Sequence, residues 1–445
     1  MQQELPAFGF NIVGGTATNG IGNVLQQCVN ALLVRGENVR VLSLNGDSVN
    51  NRLDKCLDEC FVSSASELPY AINLLITGAL DLSYFALLPP DEFCVNDKLN
   101  VAFVWWELEK IPQYLIDAAK VFDVLIAGSD FVYSILSNNI TGVPVLYAPH
   151  LLSIPKDIQP NRKRFKLPER HFIIFMGFDP ISNIDRKNPF AAIEAFKLAF
   201  PDRPDCRLII KVNCPGGRDD AKVQAGLKRL LVCIESDPRI YLIQEILTYP
   251  DLLCLYASCD VFISLHRTEG LGLIPLEAMH LGKPVIATAW SGNMSYMNYS
   301  NACLVEFDFV PIVEADSLYY GLDTLNIETR WAEPNISQAV AWLRKLAEDS
   351  QFRLQLGLRA TADANRYHEQ ASRVDFVDEL KAIWKSREFL PQRNKESLIN
   401  QAHESKRRFD YERYLRKTSP FERFVHNTKK ALGRHLLWRF RKAEV

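Results

Sequence analysis

Short apolar runs alternate with helical patterns in two consecutive series along this chain of 445 residues. The runs typical of strands are residues 8–14, 39–44, 72–76, 101–105, 121–126 and 143–147, then 172–176, 207–212, 240–243, 261–264 and 284–288. The clearest helical patterns are residues 24–34, 189–200, 220–234, 249–257 and 273–281. Such alternation predicts parallel sheets covered on both faces by helices. We therefore expect two Rossmann-like, doubly wound α/β domains that face a central cleft, where ligands of open sheets bind.

A charged, proline-bearing stretch at residues 154–170 separates the two series. Single cores stop growing near about 250 to 300 residues, so a chain of this length is expected to form more than one domain. The predicted units are residues 1–160, residues 161–365, a helix at 366–390 that packs back toward the first domain, and a basic helical tail at 391–445.

Composition excludes several classes of protein. The hydrophobic fraction of 48% and the charged fraction of 23% are typical of globular domains. Ten cysteines stand singly, without zinc-ligand spacing, which indicates reduced thiols in a cytoplasmic protein and no metal site. The first ten residues lack the pattern of a secretory signal, and Asn73, Asp81 and two prolines interrupt the most apolar stretch, residues 71–90. We expect no membrane span.

The strongest chemical signal is the segment from His266 to Glu277, where two carboxylates, Glu269 and Glu277, flank Gly270-Leu271-Gly272. The segment joins a predicted buried strand to a helix. Glycines there let backbone N–H groups approach a ligand, and a helix N-terminus favours an anion such as a diphosphate. The spacing alone equally allows a surface glutamate, a turn and an unrelated helix glutamate.

Two further segments follow predicted strands. Arg186-Lys187 stands before Asn188-Pro189, and these cations suit a diphosphate, although a solvated pair at a helix start is the alternative. The segment at residues 19–23, Asn-Gly-Ile-Gly-Asn, follows the first strand but lacks the third glycine of the dinucleotide fingerprint. The absence of that third glycine disfavours a Rossmann oxidoreductase.

The residues from Ser264 to Asn293, together with Phe178 to Pro189, resemble the E-x7-E region and the phosphate site of retaining glycosyltransferases of family four, which have the GT-B fold. The resemblance runs over residues 9–367. It implies that Glu269 contacts donor-sugar hydroxyls and Glu277 the ribose hydroxyls of the nucleotide. It also implies that the amides of Gly270, Leu271 and Gly272 contact sugar and phosphates.

The same resemblance implies that Lys187 and Arg186 bind the diphosphate. The common pattern has an arginine five or six residues before the lysine, where this chain has Ile181 and Ser182, and this departure puts Arg186 in doubt. By resemblance, Gly20 and Gly22 face the diphosphate from the first domain.

Trp105-Trp106-Glu107 follows a first-domain strand and so lies at the cleft edge. There Glu107 is expected to orient the acceptor hydroxyl or accept its proton, and the tryptophans to form a wall for a sugar ring. The alternative has Trp105 in the core and Glu107 capping the next helix. His266 is near the donor sugar by position, and we expect it to hold the loop through hydrogen bonds rather than act as a base.

These expectations describe a retaining hexosyltransferase whose first domain binds the acceptor and whose second domain binds a nucleotide sugar. The resemblance favours mannose as the sugar, a glycan or lipid-linked glycan as acceptor, a front-face reaction, and no metal or other cofactor. A catalytically silent GT-B subunit that binds a glycan or a partner protein is the alternative in another class.

The tail is strongly basic, with 13 Lys or Arg against 5 Asp or Glu from Gln401 to Val445 in a chain of net charge −2. Aromatic and aliphatic residues lie among the basic ones at residues 421–442. A helix of this kind binds anionic membrane surfaces, which predicts peripheral attachment on the cytoplasmic side. The alternative is a basic helix packed on the protein. No nucleic-acid-binding module is present in the tail, so nucleic acid is not an expected partner.

Overall fold

The computed structural model describes residues 6–15, 20–44, 59–85, 97–151, 154–212, 221–312, 329–386 and 394–417. Within these residues the first sheet has seven parallel strands in the order β3-β2-β1-β4-β5-β6-β7. Their bounds are β1 (Phe10–Gly14), β2 (Val39–Ser43), β3 (Phe61–Val62), β4 (Ile72–Gly78), β5 (Leu99–Trp105), β6 (Val124–Ala127) and β7 (Val145–Tyr147).

The register of the first sheet is marked by a buried row of asparagines on its central strands. Asn11 is paired in register with Asn73, and Asn73 with Asn100. The amide of Asn11 donates to Asn73 at 2.9 Å, and that of Asn73 donates to Asn100 at 3.1 Å. Buried amides are costly unless they are paired, so a shift by one residue would leave these groups unsatisfied.

The second sheet has six parallel strands in the described part of the chain, in the order β10-β9-β8-β11-β12-β13. Their bounds are β8 (Phe172–Phe178), β9 (Cys206–Val212), β10 (Ile240–Ile243), β11 (Val261–Ser264), β12 (Val285–Thr288) and β13 (Cys303–Val305). An antiparallel hairpin of β14 (Phe307–Pro311) and β15 (Arg330–Pro334) follows.

Helices cover both faces of each sheet, as the alternation predicts. On the first sheet they are α1 (Gly20–Val34), α2 (Ala79–Phe85), α3 (Gln113–Ala119) and α4 (Asp130–Asn139). The second half has α5 (Ile184–Lys187), α6 (Pro189–Ala199), α7 (Ala221–Glu235), α8 (Tyr249–Ser258), α9 (Leu273–His280), α10 (Ile336–Glu348) and α11 (Ser350–Ser372). The core on one face is built from α6, α7 and α10, and on the other from α8, α9 and α11.

The chain then returns to the first sheet. Val377, Leu380 and Trp384 of α12 (Phe376–Lys385) share a core with Phe10 and Ile12 of β1. Helix α13 (Lys395–Lys417) packs on α3, where Phe409 stacks on Tyr114 with ring centroids 4.2 Å apart. The described part of the tail, up to Lys417, therefore packs on the first half, and this does not test either alternative for the helix predicted at residues 421–442. Residues 421–442 lie outside the described residues.

One predicted boundary differs near the first glycine-rich segment. We expected Gly20 and Gly22 in a loop before a helix at residues 24–34, but α1 begins at Gly20. Both glycines therefore belong to the N-terminal turn of α1, with Gly20 exposed and Gly22 buried.

Candidate active site

The predicted site residues lie where strands of the two sheets end. The segment with Arg186 and Lys187 follows β8, the segment with Glu269 follows β11, and the segment with Glu107 follows β5. Strands β8 and β11 are neighbours in the second sheet. The carboxyl ends of neighbouring parallel strands meet at one edge, so residues more than 80 positions apart come into contact there.

Two asparagines with left-handed backbones flank the short helix α5. Asn183 has φ 73° and its side chain accepts from the amides of Asp185 at 2.9 Å and Arg186 at 3.2 Å. Asn188 has φ 51° and its side chain accepts from the amide of Ala191 at 3.4 Å at the start of α6. Asparagine is among the few residues other than glycine that adopt this conformation readily. The two caps hold one helical turn that carries Arg186 and Lys187.

Glu269 forms ion pairs with both cations of that turn. The Lys187 Nζ lies 2.5 Å from Glu269 Oε1, and Arg186 Nη1 lies 3.1 Å from Glu269 Oε2. Burial alone would raise the pKa of Glu269, but the charges of Lys187 and Arg186 outweigh it and lower the pKa to about 2. The carboxylate of Glu269 is therefore ionised at neutral pH.

Arg186 is the most enclosed member of this cluster, with 3% of its side chain exposed. It donates to the carbonyl oxygens of Ser182 at 3.0 Å and Thr268 at 2.9 Å. Its Nη2 also lies 3.6 Å from Glu107 Oε1. The structure thus brings together Lys187, Arg186, Glu269 and Glu107, all four of which the sequence predicted for the site.

The loop of Gly270, Leu271 and Gly272 is fixed by close backbone packing. A Cβ atom on Gly292 would lie 2.1 Å from the carbonyl oxygen of Gly270, so the two segments approach more closely than a side chain allows. Gly272 has φ +80° and precedes α9, and the Tyr296 hydroxyl donates to its carbonyl. The Gly292 amide donates to the Glu269 carbonyl at 2.9 Å. The loop is rigid and held at the N-terminus of α9.

Glu277 lies on α9 and is 2% exposed. The hydroxyl of Tyr249, in the first turn of α8, donates to its carboxylate at 2.8 Å. Burial raises the pKa of Glu277 to about 8, although the hydrogen bond from Tyr249 acts in the opposite direction. The two glutamates of one motif therefore have opposite shifts, because only Glu269 has cationic partners.

The ring of His266 is fully buried and both ring nitrogens are engaged. Nε2 lies 3.2 Å from the Trp290 carbonyl and 3.1 Å from Asn293 Oδ1, which are acceptors, while Nδ1 lies 3.0 Å from the Ser264 hydroxyl. Nδ1 also lies 3.2 Å from the Ser264 carbonyl, so each ring nitrogen faces a carbonyl acceptor and either one can carry the proton. Burial lowers the pKa of His266, so the ring is neutral. His266 is enclosed, and its hydrogen bonds hold the 264–293 loops together.

The tryptophans differ from the predicted sugar wall. Trp106 is 1% exposed, and its indole N–H donates to the Lys110 carbonyl at 3.0 Å. Trp105 stacks on Phe103, and its ring lies 2.2 Å from where a Cβ on Gly128 would be. It also approaches Gly270 of the second half. Trp106 is therefore in the core, whereas Trp105, the last residue of β5, is half-buried between the two halves.

The two halves touch directly around the site. The Ser129 hydroxyl donates to the Gly270 carbonyl at 2.5 Å, and the Thr268 hydroxyl donates to the Glu107 carbonyl. Beside them the rings of Phe131 and Trp290 meet edge to face at 5.6 Å. In the described parts of both halves, no group of three or more His, Cys, Asp or Glu is arranged to hold a metal ion.

Comparison with known families addresses the second half of the chain. Residues 158–307 match the family described as "Glycosyl transferases group 1". Over these residues the second half is similar to group 1 glycosyltransferases. The match contains Arg186, Lys187, Glu269 and Glu277 and ends where the β14–β15 hairpin begins.

Two curated relatives of this glycosyltransferase domain are mannosyltransferases. The lipopolysaccharide core biosynthesis mannosyltransferase LpsB of Rhizobium meliloti (strain 1021) is 32% identical over 96 residues, 22% of this chain and 26% of that protein. The serotype-specific mannosyltransferase WbdA of Escherichia coli is 30% identical over 134 residues, 29% of this chain and 15% of that protein. The matches span only these small shares of both relatives.

Among solved structures, the Anabaena protein HepE in complex with UDP and glucose superposes with a TM-score of 0.60 at 15% identity. The superposition covers 84% of this chain and 100% of that one. Identity at this level shows the fold, and the chain has the two-sheet GT-B fold that the sequence predicted. The resemblance to bacterial polysaccharide glycosyltransferases is likewise confirmed.

Sequence reasoning missed Asn183, Tyr249 and the hairpin around this glycosyltransferase site. Asparagines on either side of Arg186-Lys187 are a signal for helix caps that the sequence offered. Tyr249 stands 28 residues before its partner Glu277, on another helix, and no pattern in the sequence joins the two.

Proposed function

We propose that this protein is a retaining hexosyltransferase that moves a sugar from a nucleotide diphosphate sugar to a hydroxyl of a glycan or lipid-linked glycan. The observation that carries the proposal is the cluster of Glu269 with Lys187 and Arg186 at the carboxyl ends of β8 and β11, within the group 1 glycosyltransferase domain. The names of the two curated relatives favour mannose as the transferred sugar.

In the proposed reaction the acceptor oxygen attacks the anomeric carbon on the face that the leaving group departs from. The bond between that carbon and the diphosphate oxygen breaks, and the acceptor proton passes to the diphosphate. Lys187 stabilises the charge that develops on the leaving group, since a cation in an enclosed site stabilises such a charge more strongly than it does in water. Glu269 holds the sugar hydroxyls, Glu277 the ribose, and Glu107 orients the acceptor from the first half.

The proposal is tested by incubating the protein with a panel of nucleotide sugars and measuring released nucleoside diphosphate, with and without candidate glycan acceptors. Turnover with one donor, and an unchanged anomeric configuration in the product by NMR, is the expected result. Tight donor binding without turnover would instead identify a catalytically silent subunit. We also expect no loss of rate with a chelator. Loss that magnesium or manganese restores would contradict a metal-free reaction.

A matched pair of variants locates the reaction at this site. Lys187→Ala removes the cation that pairs with Glu269, whereas Lys228→Ala removes an exposed lysine on α7. Release of nucleotide should fall in the first variant alone. Equal rates for both variants would show that the reaction does not use the Glu269 cluster.

We further propose that residues 421–442 attach the enzyme to an anionic membrane surface on the cytoplasmic side, beside a lipid-linked acceptor. No helix in the described ranges combines the length and apolarity that a membrane span needs. Truncation must spare α13, because Ile399, Ala402 and Phe409 are buried in the core of the first half. A form that ends at Lys417 should stay in the supernatant with anionic vesicles at low salt, while the full chain sediments. Equal recovery of both forms in the supernatant would refute the attachment.

A further inference from the structure

The β14–β15 hairpin lies just beyond the matched glycosyltransferase region and contacts both halves of the protein. Its strands pair in register from Phe307 with Pro334 to Pro311 with Arg330. On the side of the second half, the Ala332 amide donates to the Arg267 carbonyl at 3.0 Å. On the side of the first half, Ile312 packs against the core that contains α3 and α4. The hairpin thus contacts both halves.

Arg267 connects the hairpin to the turn that carries the two cations. Its Nε lies 2.5 Å from Glu333 Oε2, and its guanidinium lies 4.9 Å from the centre of the Trp331 ring. Its Nη1 donates to the Asp185 carbonyl at 2.7 Å, and its amide donates to the Arg186 carbonyl at 2.9 Å. Two groups of the hairpin therefore fix the guanidinium that holds the backbone of α5.

A second contact joins the hairpin to the segment of Glu107. Arg330 of β15 forms two hydrogen bonds to Glu109, at 2.9 and 3.4 Å, while its guanidinium lies 3.9 Å from the centre of the Phe309 ring. Glu109 stands two residues after Glu107, whose carboxylate approaches Arg186 and whose carbonyl accepts from Thr268. The contacts form a closed circuit: Glu109, the hairpin, Arg267, α5, and back to Glu107.

We propose that the hairpin is a positioning element of the transfer reaction, with Arg330 and Arg267 as positioning residues. Through Arg330 the hairpin contacts the segment of the first half that carries Glu107. Through Arg267 it holds the turn that carries Arg186 and Lys187. The hairpin thereby holds the acceptor-side carboxylate and the donor-side cations in one fixed arrangement. This inference rests on the proposed function for its catalytic consequence and on the contacts above for its structural one.

The Arg330–Glu109 pair gives a clean test because its arginine is half exposed, with a side-chain exposure of 52%. Exposed ion pairs contribute little to stability, so Arg330→Gln should fold. The matched control is Arg203→Gln, which removes an exposed bidentate pair with Asp205 at the amino end of β9, the opposite edge of the sheet. The charge reversal Arg330→Glu with Glu109→Arg restores a pair in the opposite sense.

We expect Arg330→Gln and Glu109→Gln each to lower kcat about tenfold, as small misplacements of reacting groups do, with little change in the donor KM. The double variant should lose no more than either single variant, and the charge reversal should recover most of the rate. Losses that add in the double variant, or a rate equal to that of Arg203→Gln in either single variant, would overturn the inference.

Hydrogen exchange supplies a readout that needs no turnover. In Arg330→Gln the amides of Ala332 and Arg267, which donate within the circuit, should exchange faster than in the parent, and in Arg203→Gln they should not. Unchanged exchange at both amides would overturn the positioning role even if kcat fell. Because exchange is measured on the protein alone, its result stands if the chain binds a donor without transferring the sugar.

Discussion

Glu277 is predicted to make donor binding depend on pH in a way that the Gln variant abolishes. Its carboxyl is 2% exposed and its pKa is raised from 4.5 to about 8, because burial penalises the charge and the single hydrogen bond from Tyr249 offsets only part of that penalty. The ribose hydroxyls of a donor would give the ionised form further hydrogen bonds. Donor binding should therefore lower the pKa of Glu277 and release a proton below about pH 8.

The magnitude follows from proton linkage. If the ionised form is the one that binds, affinity for a nucleotide sugar rises by up to about tenfold per pH unit below the pKa and levels off above it. The free energy of unfolding changes in the opposite direction and falls as pH rises. The unfolded carboxyl ionises near 4.5 and the folded one near 8, so the stability due to the buried neutral form is complete below 4.5 and is lost as pH rises toward 8. The slope is about 1.4 kcal/mol per pH unit.

Titration calorimetry with a nucleotide sugar between pH 6 and 9 measures this effect, because its diphosphate is esterified at both ends and does not titrate in that range. Burial also lowers the pKa of Lys211 to about 8, so the quantity to compare is the difference between the parent and Glu277→Gln. Tyr249→Phe should move the plateau to higher pH, since it removes the hydrogen bond that favours the charge. Parent and Glu277→Gln curves with the same slope would refute the assignment of Glu277 to the ribose.

Substitutions at three other positions probe the rest of the site. Lys187→Ala should lower kcat about 100-fold, and Lys187→Arg should restore only part of it, because a planar fork does not reproduce a point charge; a parental rate in steady-state assays would show that this lysine does not face the leaving group. Glu269→Ala should reduce turnover more than nucleotide affinity, and unchanged turnover in a folded variant would remove it from the donor-sugar site. Gly292→Ala should abolish turnover by displacing the Gly270 loop, because the new Cβ would lie 2.1 Å from a backbone oxygen. A crystal structure of an active Gly292→Ala variant with an unmoved loop would contradict that reasoning.

The fold was largely predictable because its strands are apolar runs of the length that parallel sheets bury on both faces. The misses have physical reasons. Strand β13 has three residues, too few to show a pattern, and β14 lies outside the main sheet with exposed and half-buried positions that do not alternate regularly. Asn73, which seemed only to interrupt an apolar stretch, proved to be the middle of a row of paired amides across three strands. Its partners stand on other strands, so the single sequence did not reveal them.

The composition of the site was also predictable, but its contacts were not. A linear motif predicted Glu269 and Glu277. The opposite shifts of their pKa values, however, depend on which neighbours the order of the strands places beside each of them. Strand β8 lies beside β11, and this adjacency brings Arg186 and Lys187 to Glu269. Glu277 points instead toward Tyr249 on α8, a neutral partner. Trp106 and Glu107 are adjacent in sequence, but the first is in the core and the second contacts Arg186 across the cleft.

The surroundings of Arg186 and Lys187 differ, and from this we infer that the two residues have different tasks. Arg186 donates hydrogen bonds to two backbone carbonyls, forms an ion pair with Glu269 and approaches Glu107. If Arg186 turned to a diphosphate instead, these buried acceptors would lose their partner. Lys187 is more exposed, at 18% of its side chain, and its long stem lets the ammonium change partners. We therefore infer that Lys187 binds the diphosphate, while Arg186 keeps Glu269 ionised and in place. In the common pattern, by contrast, the arginine stands five or six residues before the lysine.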